Sequence, residues 1–352
     1  MLPAKKNLQF IQLLRGVACI LVALMHITIT FSQTYQLPFL GNIFKFGGAG
    51  VDIFFVLSGF IITYSNRYSI TKATSIGKFL KKRMIRIFPI YWIIISLLLV
   101  LQLLLPSFYR THFQVTAANI CNTYFLLPNH EMINGVSWSL TNEMFFYILF
   151  TLALFIPSKK FILLLLFVYL AFLIALPAIL FATANPDNQF IQLLIFPMNI
   201  EFLLGVLVVF LLDKFPKKWC FPFLFTGVGC FIFSATFYTE ILHFFSGGYG
   251  RVIMFGFPAF LIILALIKYE LTANIKVNNL FLKIGDASYS IYLFHLPVVV
   301  AFFKIMVKLP VTNHLLLVVL SGVLLCVICF GGILIYKKIE SPLIKWLSIT
   351  LA

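Results

Sequence analysis

The sequence predicts an all-α fold, a polytopic integral membrane domain of about ten transmembrane helices, and three observations predict it. Of 352 residues, 62% are hydrophobic and only 10% charged, whereas soluble domains run to about half apolar and a quarter charged. The apolar residues come in runs of about 20, the length a helix needs to cross roughly 30 Å of hydrocarbon. The basic residues gather between alternate runs, the bias that orients helices in a bilayer.

The expected spans are 9 to 31, 46 to 66, 87 to 105, 138 to 156, 161 to 182, 191 to 212, 221 to 239, 251 to 268, 284 to 302 and 315 to 336. The first run is long, carries Arg15 and His26 and has no small-residue cleavage site, so it reads as a retained helix rather than a signal peptide. No Pro- or Ser-rich linker and no fixed-period repeat divides the chain. Residues 1–352 are therefore expected to form one membrane domain with no appended soluble domain.

The net charge of +16 raises the question of nucleic acid, but basic residues beside membrane helices are explained by the positive-inside rule. With the N-terminus inside, Lys5, Lys6, Arg15, the seven basic residues from Arg67 to Arg86, Lys159, Lys160, those from Lys214 to Lys218, Lys268, Lys276, Lys283, Lys337, Lys338 and Lys345 share one side. Lys45, Arg110, Arg251, Lys304 and Lys308 fall outside or near outer helix ends. Both termini are thus expected in the cytoplasm. Cys326 and Cys329 have CxxC spacing inside the apolar run VLLCVICF. With no His or carboxylate nearby they read as small apolar residues, and no metal site is expected.

Ionisable groups inside spans are costly unless they face a cavity or a partner, so each is a candidate for function. Arg15 and His26 lie eleven residues apart in the first span, three helical turns plus about 20°, and so share a face with an axial separation of roughly 16 Å. A neutral imidazole in a low-dielectric site can take a hydroxyl proton, which makes His26 a candidate general base. Asp52 sits in GGAGVDIFFVLSGF, where Gly47, Gly48 and Gly50 permit close backbone approach. Consecutive helices with a short loop usually pack together, so Asp52 is expected to orient His26 as the second catalytic residue.

Glu143, with Trp138 and Asn142 beside it in SWSLTNEMFFY, is expected to bind acceptor or support the network. His295 and Glu201 complete the intramembrane set. Ser288, Tyr289, Ser290, Tyr292 and His295 give one side of their helix a hydrogen-bonding surface suited to a polar cavity. Arg83 and Arg86, three apart in a short basic helix over residues 76–86 that leads to Pro89, have the spacing of a phosphate clamp, with Lys81 and Lys82 close by. His112, His130, His243 and His314 fall in loops. The segment 67–86 is strongly basic, whereas 106–137 is polar, aromatic and nearly uncharged, an asymmetry that fits an anion site inside and a neutral polar acceptor outside.

The segments RGVACILVALMH, GGAGVDIFFVLSGFII, KKRMIRIFPIYW, SWSLTNEMFFYILF, FLLGVLVVFL, GDASYSIYLFHLPV and IESPL, in that order, resemble the membrane-bound acyltransferase 3 family of bacterial glycan and lipid O-acyltransferases. The resemblance implies acyl-CoA, with acetyl-CoA first among candidates, as donor substrate and no bound cofactor. It implies an acceptor hydroxyl on an extracytoplasmic carbohydrate or glycolipid, a place in a bacterial cytoplasmic (inner) membrane, and functional pairs in Arg15 with His26 and Arg83 with Arg86. The family often has two adjacent glutamates after the WSL element, whereas here Glu143 is followed by Met144. No serine or cysteine lies in a nucleophile motif, so direct transfer is favoured over a covalent intermediate, for which His26 would be the candidate. The alternative from another class is a transporter or exporter of a polysaccharide or small solute that uses the same polar residues as a permeation route.

Overall fold

A computed structural model describes residues 8–67, 76–106, 113–128, 131–156, 158–183, 188–238, 248–273, 275–310 and 313–351. Lys5, Lys6, Lys72, Arg110, His112, His130 and His243 lie outside the described residues. Among the described residues every regular element is helical, as lipid requires of a backbone that must satisfy its own hydrogen bonds.

Among the described residues eight stretches are long and apolar enough to cross a membrane: Gln9–Tyr35, Lys45–Asn66, Ile76–Leu104, Gln189–Leu211, Lys217–Thr236, Tyr249–Thr272, Ser288–Met306 and His314–Thr350. Two shorter apolar helices, Trp138–Leu154 and Leu164–Ala175, fall on the remaining two expected spans. The chain is an all-α polytopic membrane protein.

Two elements differ from expectation in their extent. The basic segment from residue 76 and the third span form one helix, Ile76–Leu104, with Pro89 inside it. A proline removes one backbone hydrogen bond, which membrane helices tolerate where neighbours satisfy the freed carbonyl. The last span runs on through a π-helical turn, Tyr336–Glu340, into Ser341–Thr350. A second π-helical turn, Val252–Gly256, leads into Phe257–Thr272. In both places a proline, Pro342 or Pro258, follows two residues later. The wider turn relieves the clash between the proline ring and the carbonyl four residues earlier.

The chain forms two compact units. The first comprises residues 1–14, 51–80 and 142–278, and the second residues 15–50, 81–141 and 279–352. In the first unit, the N-terminus of Gln9–Tyr35 is capped by Glu270, whose carboxylate accepts from the Gln9 and Phe10 amides at 2.5 and 2.9 Å. A carboxylate there satisfies orphan amides and suits the positive end of the helix. Helices Ala49–Asn66 and Asn199–Leu211 meet through reciprocal glycines. A Cβ on Gly59 would overlap the Phe202 carbonyl oxygen, and one on Gly205 would overlap that of Val56. The Phe146 and Phe202 rings stack beside this contact at 3.9 Å.

Such small-residue contacts bring membrane helices within backbone distance. Gly205→Ala is therefore expected to lower stability, although alanine is the better helix former, by about 1 to 3 kcal/mol of overpacking. Thermal unfolding in detergent checks this, and a raised midpoint would remove the packing argument.

In the second unit two of the three glycines anticipated as points of close approach, Gly47 and Gly50, have that role. A Cβ on Gly47 or Gly50 would overlap the carbonyl oxygen of Leu21 or Ala18 on the first helix. The short helix Ala117–Tyr124 is tied to Ile76–Leu104 by Tyr91, whose hydroxyl donates to the Thr123 carbonyl at 2.8 Å, and by Trp92, whose indole donates to Tyr124 at 2.9 Å. All six cysteines are free.

Candidate active site

The second unit brings two histidines together that lie 269 residues apart in sequence. His26 is half-buried on the first helix and His295 is fully buried on Ser288–Met306. Their rings are 5.0 Å apart and tilted by 56°. His295 Nδ1 is 2.6 Å from the Tyr292 carbonyl oxygen. A carbonyl can only accept, so Nδ1 carries the proton and the neutral ring keeps its lone pair on Nε2. That Nε2 is 3.1 Å from His26 Nδ1, which also lies 3.0 Å from the Val22 carbonyl oxygen. Both neighbours of His26 Nδ1 accept, so it donates, and His26 keeps its lone pair on Nε2. The hydrogen-bond network thus assigns both tautomers. A half-buried imidazole with a bare Nε2, backed by a second imidazole, can accept a proton.

Residues just before and at the start of the Trp138–Leu154 helix brace the helical turn that precedes His295. The Asn134 side-chain amide donates to the Leu293 carbonyl at 3.0 Å. The Tyr292 hydroxyl lies 2.7 Å from Ser139 Oγ and donates to the Val136 carbonyl at 3.2 Å. Tyr292 is buried in this network, and Trp138, half-buried, stands next to Ser139 in the chain.

The arginines nominated from the sequence also belong to this unit. Arg83 and Arg86 are both partly buried on Ile76–Leu104, and Arg15 is 9% exposed on the first helix. Arg15 and Arg86 converge electrostatically on Asp286, at the end of the helix Asn279–Asp286. Partial burial pushes the Asp286 carboxyl above its ordinary value, and the two guanidinium charges oppose the rise.

Asp52 belongs to the first unit and has a different partner from the one expected. It is fully buried and accepts from Arg251 at 2.5 Å in an ion pair. Glu201, also fully buried, lies within reach of the charges of both, and Gly256 leaves the room its side chain needs. The pairing has a physical reason. A buried carboxylate needs a compensating charge, which Arg251 supplies and a neutral imidazole already donating to His295 does not. Glu143 is in the first unit too, where its Oε1 accepts from Tyr147 at 2.6 Å and from Ser58 at 3.2 Å. One carboxylate serves both donors. Among the described residues no three His, Cys, Asp or Glu side chains converge as metal ligands.

A model of the acyltransferase domain, acyltransferase 3, matches residues 8–335. The chain belongs to the acyltransferase 3 family. This acyltransferase is 28% identical over 326 residues to the exopolysaccharide production protein ExoZ of Rhizobium meliloti (strain 1021), a match that covers 87% of this chain and 92% of that one. It is 34% identical over 121 residues to Nodulation protein 10 of Rhizobium leguminosarum bv. viciae, covering 29% of this chain and 32% of that one. No solved structure matches the acyltransferase.

Two charged residues, one in each unit, have partners that the sequence does not announce. Arg251 was read as a basic residue near an outer helix end, and its apolar setting, RVIMFGFPAF, was the available signal. Glu340, 4% exposed and bonded by the Ser290 hydroxyl, stood in the IESPL segment without a role.

Proposed function

We propose that this acyltransferase moves an acyl group, acetyl first among candidates, from cytoplasmic acyl-CoA to a hydroxyl of a carbohydrate or glycolipid acceptor on the other side of a bacterial cytoplasmic membrane, with His26 as general base. The observation that carries this reading is the His26 Nδ1 to His295 Nε2 contact of 3.1 Å, which leaves His26 Nε2 as proton acceptor. The name of the Rhizobium meliloti relative, an exopolysaccharide production protein, supports a polysaccharide as acceptor.

The acceptor O–H gives its proton to His26 Nε2 while its oxygen attacks the thioester carbonyl carbon. The C–S bond then breaks, and the thiolate leaving group takes the proton back from the imidazolium. His295 acts as a positioning residue: its Nε2 accepts from His26 Nδ1–H, fixes the tautomer together with the Val22 carbonyl and favours the cation that forms in between. Arg15, Arg83 and Arg86 hold the phosphates of the donor. Trp138, Tyr292 and Glu143 serve acceptor binding or its support. Asp52, paired with Arg251, contributes by holding its helices in place rather than by handling the proton.

The test is acyl transfer by purified protein in liposomes, with labelled acetyl-CoA on the face that carries the basic loops and a glycan-lipid pool on the other. Label appearing on the acceptor with release of coenzyme A is the expected result. Passage of a solute across the vesicle without any release of coenzyme A would replace catalysis by transport.

A further inference from the structure

Three tethers in the second unit converge on the stretch 285–290, GDASYS. At the first, a Cβ on Gly16 would stand 3.3 Å from the Gly285 backbone nitrogen. The first helix and Asn279–Asp286 therefore meet nearly backbone to backbone, one residue away from both Arg15 and Asp286. At the second, the Tyr289 hydroxyl donates to the Ile87 carbonyl at 3.0 Å, next in the chain to Arg86. At the third, the buried Ser290 hydroxyl donates to Glu340 in the π-helical turn. Each tether involves a charged residue or the chain neighbour of one: Arg15 and Asp286 at the first, Arg86 at the second and Glu340 at the third. The charges of Arg15 and Arg86 act on Asp286 and on Glu340 alike.

The two carboxylates differ in their freedom. Glu340 is 4% exposed and held by a serine that is itself fully buried, whereas Asp286 is exposed at the end of its helix. We propose that Asp286 is a displaceable counter-charge of the donor site, standing beside the Arg15 and Arg86 guanidinium groups until phosphate oxygens take its place, while Glu340, held by Ser290, stays and balances part of their charge. This rests on the donor reading given above and adds to it the residue that decides which anions enter. Arginine forks bind phosphate bidentately, and a phosphate or pyrophosphate group brings more charge and more acceptor oxygens than the carboxylate it displaces. A free acyl carboxylate brings no more charge than Asp286 and gains nothing by the exchange. The site therefore admits a phosphorylated donor and turns away the free acid.

Calorimetric titration of the full-length protein in nanodiscs with coenzyme A, and separately with sodium acetate, tests this. Asp286→Asn is expected to bind coenzyme A about two- to fivefold more tightly, the factor that follows from removing one exposed competing charge, and to begin to bind acetate. Asp286→Glu, which keeps the charge, is expected to match the parent protein, and Asp286→Ser replaces the asparagine variant if that one does not fold. Unchanged or weaker coenzyme A binding by a neutral variant with the parent's unfolding midpoint overturns the counter-ion role and leaves the donor reading standing. Absence of coenzyme A binding by the parent protein overturns both.

Discussion

Alanine in place of His26 is expected to lower the rate of acyl transfer by about 10²- to 10⁴-fold, the contribution of a positioned general base, with little change in the apparent affinity for acyl-CoA. The same prediction reaches its partner. His295→Ala is expected to lower kcat and leave KM for the donor unchanged, because His26 Nδ1 then loses the acceptor 3.1 Å away that helps orient its ring and favours the imidazolium, and keeps only the Val22 carbonyl. His295→Gln, whose side-chain carbonyl can accept the same proton, is expected to restore part of the rate. Steady-state kinetics on the purified variants decide the matter. A His26→Ala protein that keeps substantial activity removes the base, and equal losses in His295→Gln and His295→Ala reduce His295 to packing.

The second large effect concerns stability. Arg251→Met is expected to destabilise the protein by about 3 to 5 kcal/mol, since it leaves a buried carboxylate without its counter-charge. Asp52 is fully buried and Glu201 stands beside it, so two acidic side chains would share a site of low dielectric with no cation. Arg251→Gln combined with Asp52→Asn replaces the ion pair by a neutral hydrogen-bonding pair and is expected to recover most of that loss, the coupling a double-mutant cycle measures. Unfolding midpoints in detergent provide the check. If the double variant is no more stable than Arg251→Met alone, the ion pair is not what holds this part of the first unit.

The spans were legible in the sequence because hydropathy over about 20 residues is a local property, and Gly47 and Gly50 were legible because a membrane helix has little other use for such a cluster. Arg15 and His26 announced themselves as ionisable residues on one helical stripe. What could not be read was who pairs with whom. Asp52 was matched to His26 because short loops usually join packed helices, but the charge that answers Asp52 comes from Arg251, 199 residues further along. His26 has its partner 269 residues away in a helix whose polar side is visible in the sequence. Burial of charge is visible in a sequence. Its compensation is a long-range choice, and helix spacing carries no record of it.

The first helix runs unbroken for 27 residues, from Gln9 to Tyr35, and carries both Arg15 and His26. Such a rod works as a ruler. One inserted residue shifts everything beyond it by about 1.5 Å and swings it by about 100°, so only whole turns of added chain keep the two side chains on one stripe. The distance between the Arg15 guanidinium and the His26 imidazole is thereby quantised. Under the proposed function, changes around His26 alter the acyl group or the acceptor one side chain at a time, whereas a longer or shorter donor arm calls for a different helix.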